Sequence, residues 1–148
     1  MNLRKGTRYA LYAAMEMARS TDGTPVTASQ VAANYGVPAT VLAKVFQQLV
    51  RAGLATGTRG VRGGYALTRP AAKVTVLDVI EALEPRRRPE QCLLAGHDES
   101  DCSQTDACCL RRLFDEVEEM ARCTYASVTL DTLVGTRENR GEPLPLVG

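Results

Sequence analysis

Catalysis has little to work with in this chain. Histidine occurs once, at His97, and there is no HExxH pair, no Gly-x-Ser-x-Gly elbow and no Walker lysine followed by Ser or Thr. The catalytic constellations that need those groups are excluded, and an enzyme is not expected. Long apolar runs are also missing: the stretch from Ala10 to Ala18 is short and is interrupted by Glu16. Neither a secretory signal nor a membrane span is expected, and the chain reads as a cytoplasmic protein. Acidic residues are scarce in one half only. Residues 1–70 hold two acids, Glu16 and Asp22, against nine Lys or Arg, a net charge of +7. The remaining 78 residues carry fifteen acids and nine bases, a net of −6. A basic half joined to an acidic half points to a polyanion-binding surface on the first and a different task on the second.

The basic half is patterned as helices. Leu11, Ala14, Met15 and Ala18 repeat at helical spacing and predict a first amphipathic helix over 9–18, with that face inward. After a turn over 20–25, Thr27 is placed as an N-cap and Gly36 as a stop for a second helix. Gly36-Val37-Pro38 leads into a third helix over about 40–52, with Leu42, Val45, Phe46 and Leu49 on its apolar face. Thr40, Lys44, Gln47, Gln48 and Arg51 fall on the opposite face. Two short helices joined by a glycine-containing turn form a helix-turn-helix, whose outward polar face suits base edges and phosphates, or is simply solvated.

Residues 53–70, GLATGTRGVRGGYALTRP, alternate as a hairpin, with Leu54 in the first strand and Tyr65 and Leu67 in the second. Gly57, Gly60, Gly63 and Gly64 allow unusual backbone angles and close approach. Arg59 and Arg62 lie at the tip, where they could enter a minor groove or hold phosphates. The hairpin reads as a wing.

A further helix is expected over 74–83, with Val76, Val79, Ile80 and Leu83 inward and Pro85 after it. Residues 86–107 then lose periodicity and are rich in Pro, Gly, Asp and Ser. Four of the five cysteines lie here or at its edge, in the order Cys92-x9-Cys102-x5-Cys108 with Cys109 adjacent. A chain of 148 residues buries a core without covalent staples, so the thiols are free for metal or redox chemistry. The soft thiolates suit an iron–sulfur cluster; a thiol–disulfide switch, zinc and incidental thiols are the alternatives, although the spacing is too wide for a CxxC zinc knuckle. Leu110, Leu113, Phe114, Val117, Met120, Ala121 and Val128 mark one stripe of a long helix ending near 127 or 128. That stripe suits packing against a second copy of the chain. Cys123, inside the same helix, reads as an ordinary buried thiol.

Arg8-Tyr9-Ala10, VPATVLAKVFQQLVRAGL, RGVRGGYALTRP, VTVLDVIEALE, the three-cysteine segment and TLDTLV resemble, along nearly the whole chain, the bacterial winged-helix iron–sulfur regulators of the IscR, NsrR and RirA type. The resemblance implies a mainly α fold with a small β-hairpin wing. It implies a homodimer whose long helices cross, and which reads a palindromic double-stranded DNA operator. It places Thr40, Val41 and Lys44 at the bases, Arg59 in the minor groove and Arg8 near the phosphate backbone. Gln47, Gln48, Arg51, Arg62, Gly63 and Gly64 complete the expected DNA-binding set. Cys92, Cys102 and Cys108 fall at the cluster ligands.

The x9 gap is nearer to the iron-regulator type than to the others, and Arg111 stands where the cluster-regulator type has histidine. A cation cannot ligate iron. The fourth ligand is then sought among His97, Asp98, Glu99 and Cys109 or from outside, with a 4Fe-4S cluster favoured over 2Fe-2S. The bland readings are a solvent-exposed His97 and a bystander Cys109. The expected organisation is a DNA-binding domain over 1–84, a cluster-binding segment over 85–109, a dimerisation helix with a short terminal helix over 110–134, and a disordered tail over 135–148. A regulator of this fold without a cluster, switched by thiol oxidation or a partner protein, is the alternative. An electron-transfer iron–sulfur protein would leave the basic half without a role.

Overall fold

Capping residues set the frame of the amino-terminal half. In the computed structural model, which describes residues 3–20, 23–84 and 109–136, the second helix α2 runs Ala28–Tyr35. Thr27 accepts a hydrogen bond from the Gln30 amide at 3.2 Å, and the Gln30 side chain accepts from the Thr27 amide at 2.8 Å. This reciprocal box satisfies two amides that the first helical turn leaves open. Gly36 ends α2 in the left-handed conformation, φ 63°, as the sequence predicts. Helix α3 follows at Ala39–Arg51, and Leu42, Val45, Phe46 and Leu49 are all buried along one side of it.

The first helix, α1, spans Lys5–Arg19 and corrects the expected inward face. Its buried side chains are Thr7, Tyr9, Ala10, Ala13, Ala14 and Met17, whereas Leu11, Met15 and Ala18 are only half-buried. Periodicity marks one inward face, but α1 is packed on several sides, by α2, α3, the wing and the helices described below. Its alanines let neighbouring backbones come close, and Leu11 reaches a second, smaller apolar cluster around Val76, Ile80 and Val128.

Two antiparallel strands follow, β1 Ala55–Thr58 and β2 Gly64–Leu67, in the register Ala55↔Leu67 to Thr58↔Gly64. Leu54 lies just ahead of β1, buried, with its carbonyl accepting from the Thr68 amide at 3.1 Å. A 3₁₀ turn, Ala71–Lys73, precedes α4, Val76–Leu83. Thr75 and Asp78 form a second capping box there, at 2.9 and 3.1 Å. Within α4, Val76, Val79 and Ile80 are buried and Leu83 is half-buried.

The long helix α5 is Cys109–Ser127, and a final helix α6 is Leu130–Thr136. The link between them is stitched to the start of α4: the Val76 amide donates to the Val128 carbonyl at 2.9 Å, and the Leu130 amide to the Val74 carbonyl at 2.9 Å. Leu130, fully buried, thus joins the core built by α1 and α3. Arg122 of α5 forms a charged hydrogen bond with Glu81 of α4. Among the described residues no helix is long and apolar enough to cross a membrane. The described residues are mainly helical with one two-stranded hairpin, as expected.

Candidate nucleic-acid interface

Burying Leu42, Val45, Phe46 and Leu49 on one side of α3 leaves Thr40, Val41, Lys44, Gln47, Gln48 and Arg51 exposed on the other. No Asp or Glu occurs from Gly23 to Leu77, so α3 and the wing contribute only positive charge, from Lys44, Arg51, Arg59 and Arg62, while Arg69, just past the wing, lies 3.6 Å from Asp78 of α4. Such a surface attracts polyanions and carries no repelling carboxylate on its own elements.

The wing is fastened to α3 by an aromatic contact that neither segment predicts alone. Tyr65 of β2 stacks on Phe46 of α3, ring centres 4.3 Å apart and planes 9° from parallel. Tyr65 also pairs with Val26 through two backbone hydrogen bonds, each 2.8 Å, which ties the hairpin to the chain entering α2. Helix α3 and the wing are therefore held as one unit. Arg59, Gly60, Val61 and Arg62 form the tip, all exposed. Gly63 serves by close approach: a Cβ there would lie 2.4 Å from the Thr58 carbonyl oxygen. A Cβ on Gly64 would lie 2.8 Å from the Val26 carbonyl oxygen, so both glycines shape the wing. Arg8 is exposed on α1, its guanidinium 5.7 Å from the centre of the Tyr9 ring.

Sequence reasoning missed the residues that set α2 against α1. Glu16, one of the two acids of the basic half, accepts from the Tyr35 hydroxyl at 2.9 Å and from the Asn34 amide group at 3.1 Å, and pairs with Arg19. Arg19 also donates to the Tyr35 hydroxyl at 3.0 Å, and Tyr35 stacks on Tyr12 with ring centres 4.3 Å apart. Burial works against the Arg19 charge, but the contacts with Tyr35 and Glu16 outweigh it and raise its pKa. The only available signal was the isolation of Glu16 among cations.

Cys92, Cys102, Cys108, His97, Asp98 and Glu99 lie outside the described residues, and Cys109 is described only as the first residue of α5. Among the described residues, no three His, Cys, Asp or Glu side chains gather as a metal site. Cys123 is exposed, not buried as expected: it lies on a part of α5 that the described residues leave uncovered. Leu110, Leu113, Val117 and Met120 are 50, 53, 49 and 63 % exposed, so most of the apolar stripe of α5 is uncovered in the single chain.

The profile of the Rrf2 family, described as iron-dependent transcriptional regulator, matches residues 3–136. Protein aau3 of Rhizobium meliloti is 34 % identical over 138 residues, 93 % of this chain and 87 % of that protein. The putative HTH-type transcriptional regulator BadM of Rhodopseudomonas palustris is 33 % identical over 135 residues, 90 % of this chain and 81 % of its own. Among solved structures, T. potens IscR superposes with a TM-score of 0.72 at 23 % identity, covering 97 % of this chain and 93 % of that one. CymR, the global cysteine regulator of B. subtilis, gives 0.67 at 24 % identity, over 91 % and 97 %. The helix-turn-helix, its wing and the family match together make the chain a member of the Rrf2 family of DNA-binding transcriptional regulators.

Proposed function

We propose that the chain acts in the cytoplasm as a homodimer that binds a palindromic operator, with an iron–sulfur cluster on Cys92, Cys102 and Cys108 controlling its affinity for DNA. The observation that carries the DNA-binding part is the outward face of α3, free of acids and locked to an arginine-tipped wing. On this reading Thr40, Val41 and Lys44 face bases, Gln47, Gln48 and Arg51 extend the contact, Arg59 and Arg62 reach the minor groove, and Arg8 lies near phosphate. The exposed stripe of α5 supports pairing with a second copy, since such an apolar face is stabilised by removal from water.

The donor set suits the cluster. Three soft thiols precede α5, whose amino-terminal end favours the negative charge of thiolates. His97, Asp98, Glu99 or Cys109 would complete the ligation, or a small external ligand, and a 4Fe-4S cluster is favoured because Arg111 stands in place of a histidine ligand. When bound, such a group supplies iron whose redox state and integrity respond to iron supply, oxygen or nitric oxide. The chain's part is to hold it on the segment between α4 and α5, so that its presence biases the arrangement of the paired DNA-binding halves.

A second reading, a cluster-free regulator switched by thiol oxidation, draws support from one neighbour: the oxidised form of Staphylococcus aureus CymR superposes with a TM-score of 0.69 at 21 % identity, over 90 % of this chain and 96 % of that one. Anaerobic purification and an absorption spectrum separate the two. Charge-transfer bands in the region of about 350–450 nm, together with different DNA affinities for holo and demetallated protein, are expected from the cluster reading. Cys102→Ala should behave as the demetallated form at any iron supply. Equal affinities without a chromophore would leave only the DNA-binding part standing.

A further inference from the structure

Two exposed apolar side chains lie near the start of α3, Ala39 and Val41, and Ala39 is on the far side of the helix from Val41, away from the row that Lys44 and Gln48 continue. Val41 is 37 % exposed in the first turn, and Lys44 and Gln48, both exposed, follow it at i+3 and i+7 in one row along the helix. A helix lying in the major groove meets hydrogen-bonding groups on every base pair, but only one apolar feature, the C5 methyl of thymine. Valine has no donor or acceptor in its side chain, so that methyl is the one base feature it can recognise.

Two other exposed valines do not compete for the role. Val50, 39 % exposed, lies nine residues further on, which is half a turn round the helix from Val41. Val61, fully exposed, is at the wing tip, and a wing inserted in the minor groove meets no thymine methyl there. Resting on the DNA-binding reading above, we infer that Val41 is a specificity-determining residue that selects thymine at one position of each half-site through its 5-methyl group. Lys44 and Gln48 in the same row hold the helix over the neighbouring bases and phosphates.

The test begins with selection of a bound duplex from a randomised library, using the anaerobically purified full chain. Each thymine of that duplex is then replaced singly by deoxyuridine, which removes only the methyl group, and affinity is followed by fluorescence anisotropy. Loss of one buried methyl predicts about fourfold weaker binding at a single position per half-site. In Val41→Ala the same replacement should change affinity by less than about 1.5-fold, whereas Thr40→Ser, which removes the neighbouring methyl, should keep the fourfold loss. Insensitivity to deoxyuridine at every position overturns the assignment, as does a loss that persists in Val41→Ala or disappears in Thr40→Ser. In those cases the tight complex with the selected duplex leaves the DNA-binding reading intact. If no duplex is enriched or bound, the DNA-binding reading fails and the role of Val41 with it.

Discussion

Phe46 does two jobs at once, and its removal should be felt in both. It is fully buried among Leu42, Leu49 and the alanines of α1, and its ring carries Tyr65 of the wing. Phe46→Ala should lower unfolding free energy by about 3–5 kcal/mol in denaturant titration, the range for emptying a buried aromatic site. Arg59 acts differently, since it is exposed at the wing tip and supports no core contact. Arg59→Ala is expected to leave the unfolding midpoint unchanged and to make the slope of log affinity against log salt shallower by about one, the mark of one cation removed from the DNA and its counterions retained. A salt slope equal to that of the unaltered chain would place Arg59 off the DNA.

At the scale of elements, the first helix has an N-terminus capped from a distance. Arg4, its N-cap, offers no side-chain hydrogen bond, and Glu84 at the end of α4 supplies the acceptor: it takes the Arg4 amide at 2.8 Å and the hydroxyl of buried Thr7. The carboxylate also sits favourably at the positive end of α1. Glu84→Ala should therefore destabilise the fold by about 1–2 kcal/mol, and Glu84→Gln by less, measured by chemical unfolding. Because Glu84 directly precedes the segment that carries the cysteines, this cap ties α1 to the stem of that segment. The wing depends on a different local constraint. Gly63→Ala forces a Cβ against the Thr58 carbonyl, so it should cost about 1–3 kcal/mol or distort the tip, with weaker DNA binding as the readout.

At the scale of the whole molecule, the exposed apolar stripe of α5 is the face through which the proposed dimer would pair. If the proposed dimer forms through this stripe, replacing both Leu113 and Val117 by Glu should turn it into a monomer in sedimentation velocity, raising the dissociation constant by at least about a hundredfold, with helical content retained. A dimer that survives the double change would show that the chains pair through another face. The pairing also bears on Cys123, exposed on the same helix: its reaction with a thiol reagent in the assembled protein reports whether the partner covers it.

Local signals made much of the fold and of the candidate DNA-facing surface readable from the residues alone. Helix α3, its four buried side chains and its polar outer row follow from a 3.6-residue period, the stop at Gly36 from glycine's freedom in the left-handed region, and the hairpin from alternation around a glycine-rich tip. Each of these is fixed by neighbours close in sequence. What the residues did not reveal are features decided by distant contacts. The inward face of α1 was misplaced because several elements pack on it, and small alanines let them do so. The Glu16 hub, the Phe46–Tyr65 stack, the Glu84 cap and the place of Leu130 in the core join residues far apart in the chain. Cys123, inside the long helix, read as an ordinary buried thiol, yet the described residues leave it exposed. Periodicity shows that a helix has a face. Only the tertiary structure decides what that face meets, because burial depends on which other surfaces can reach it.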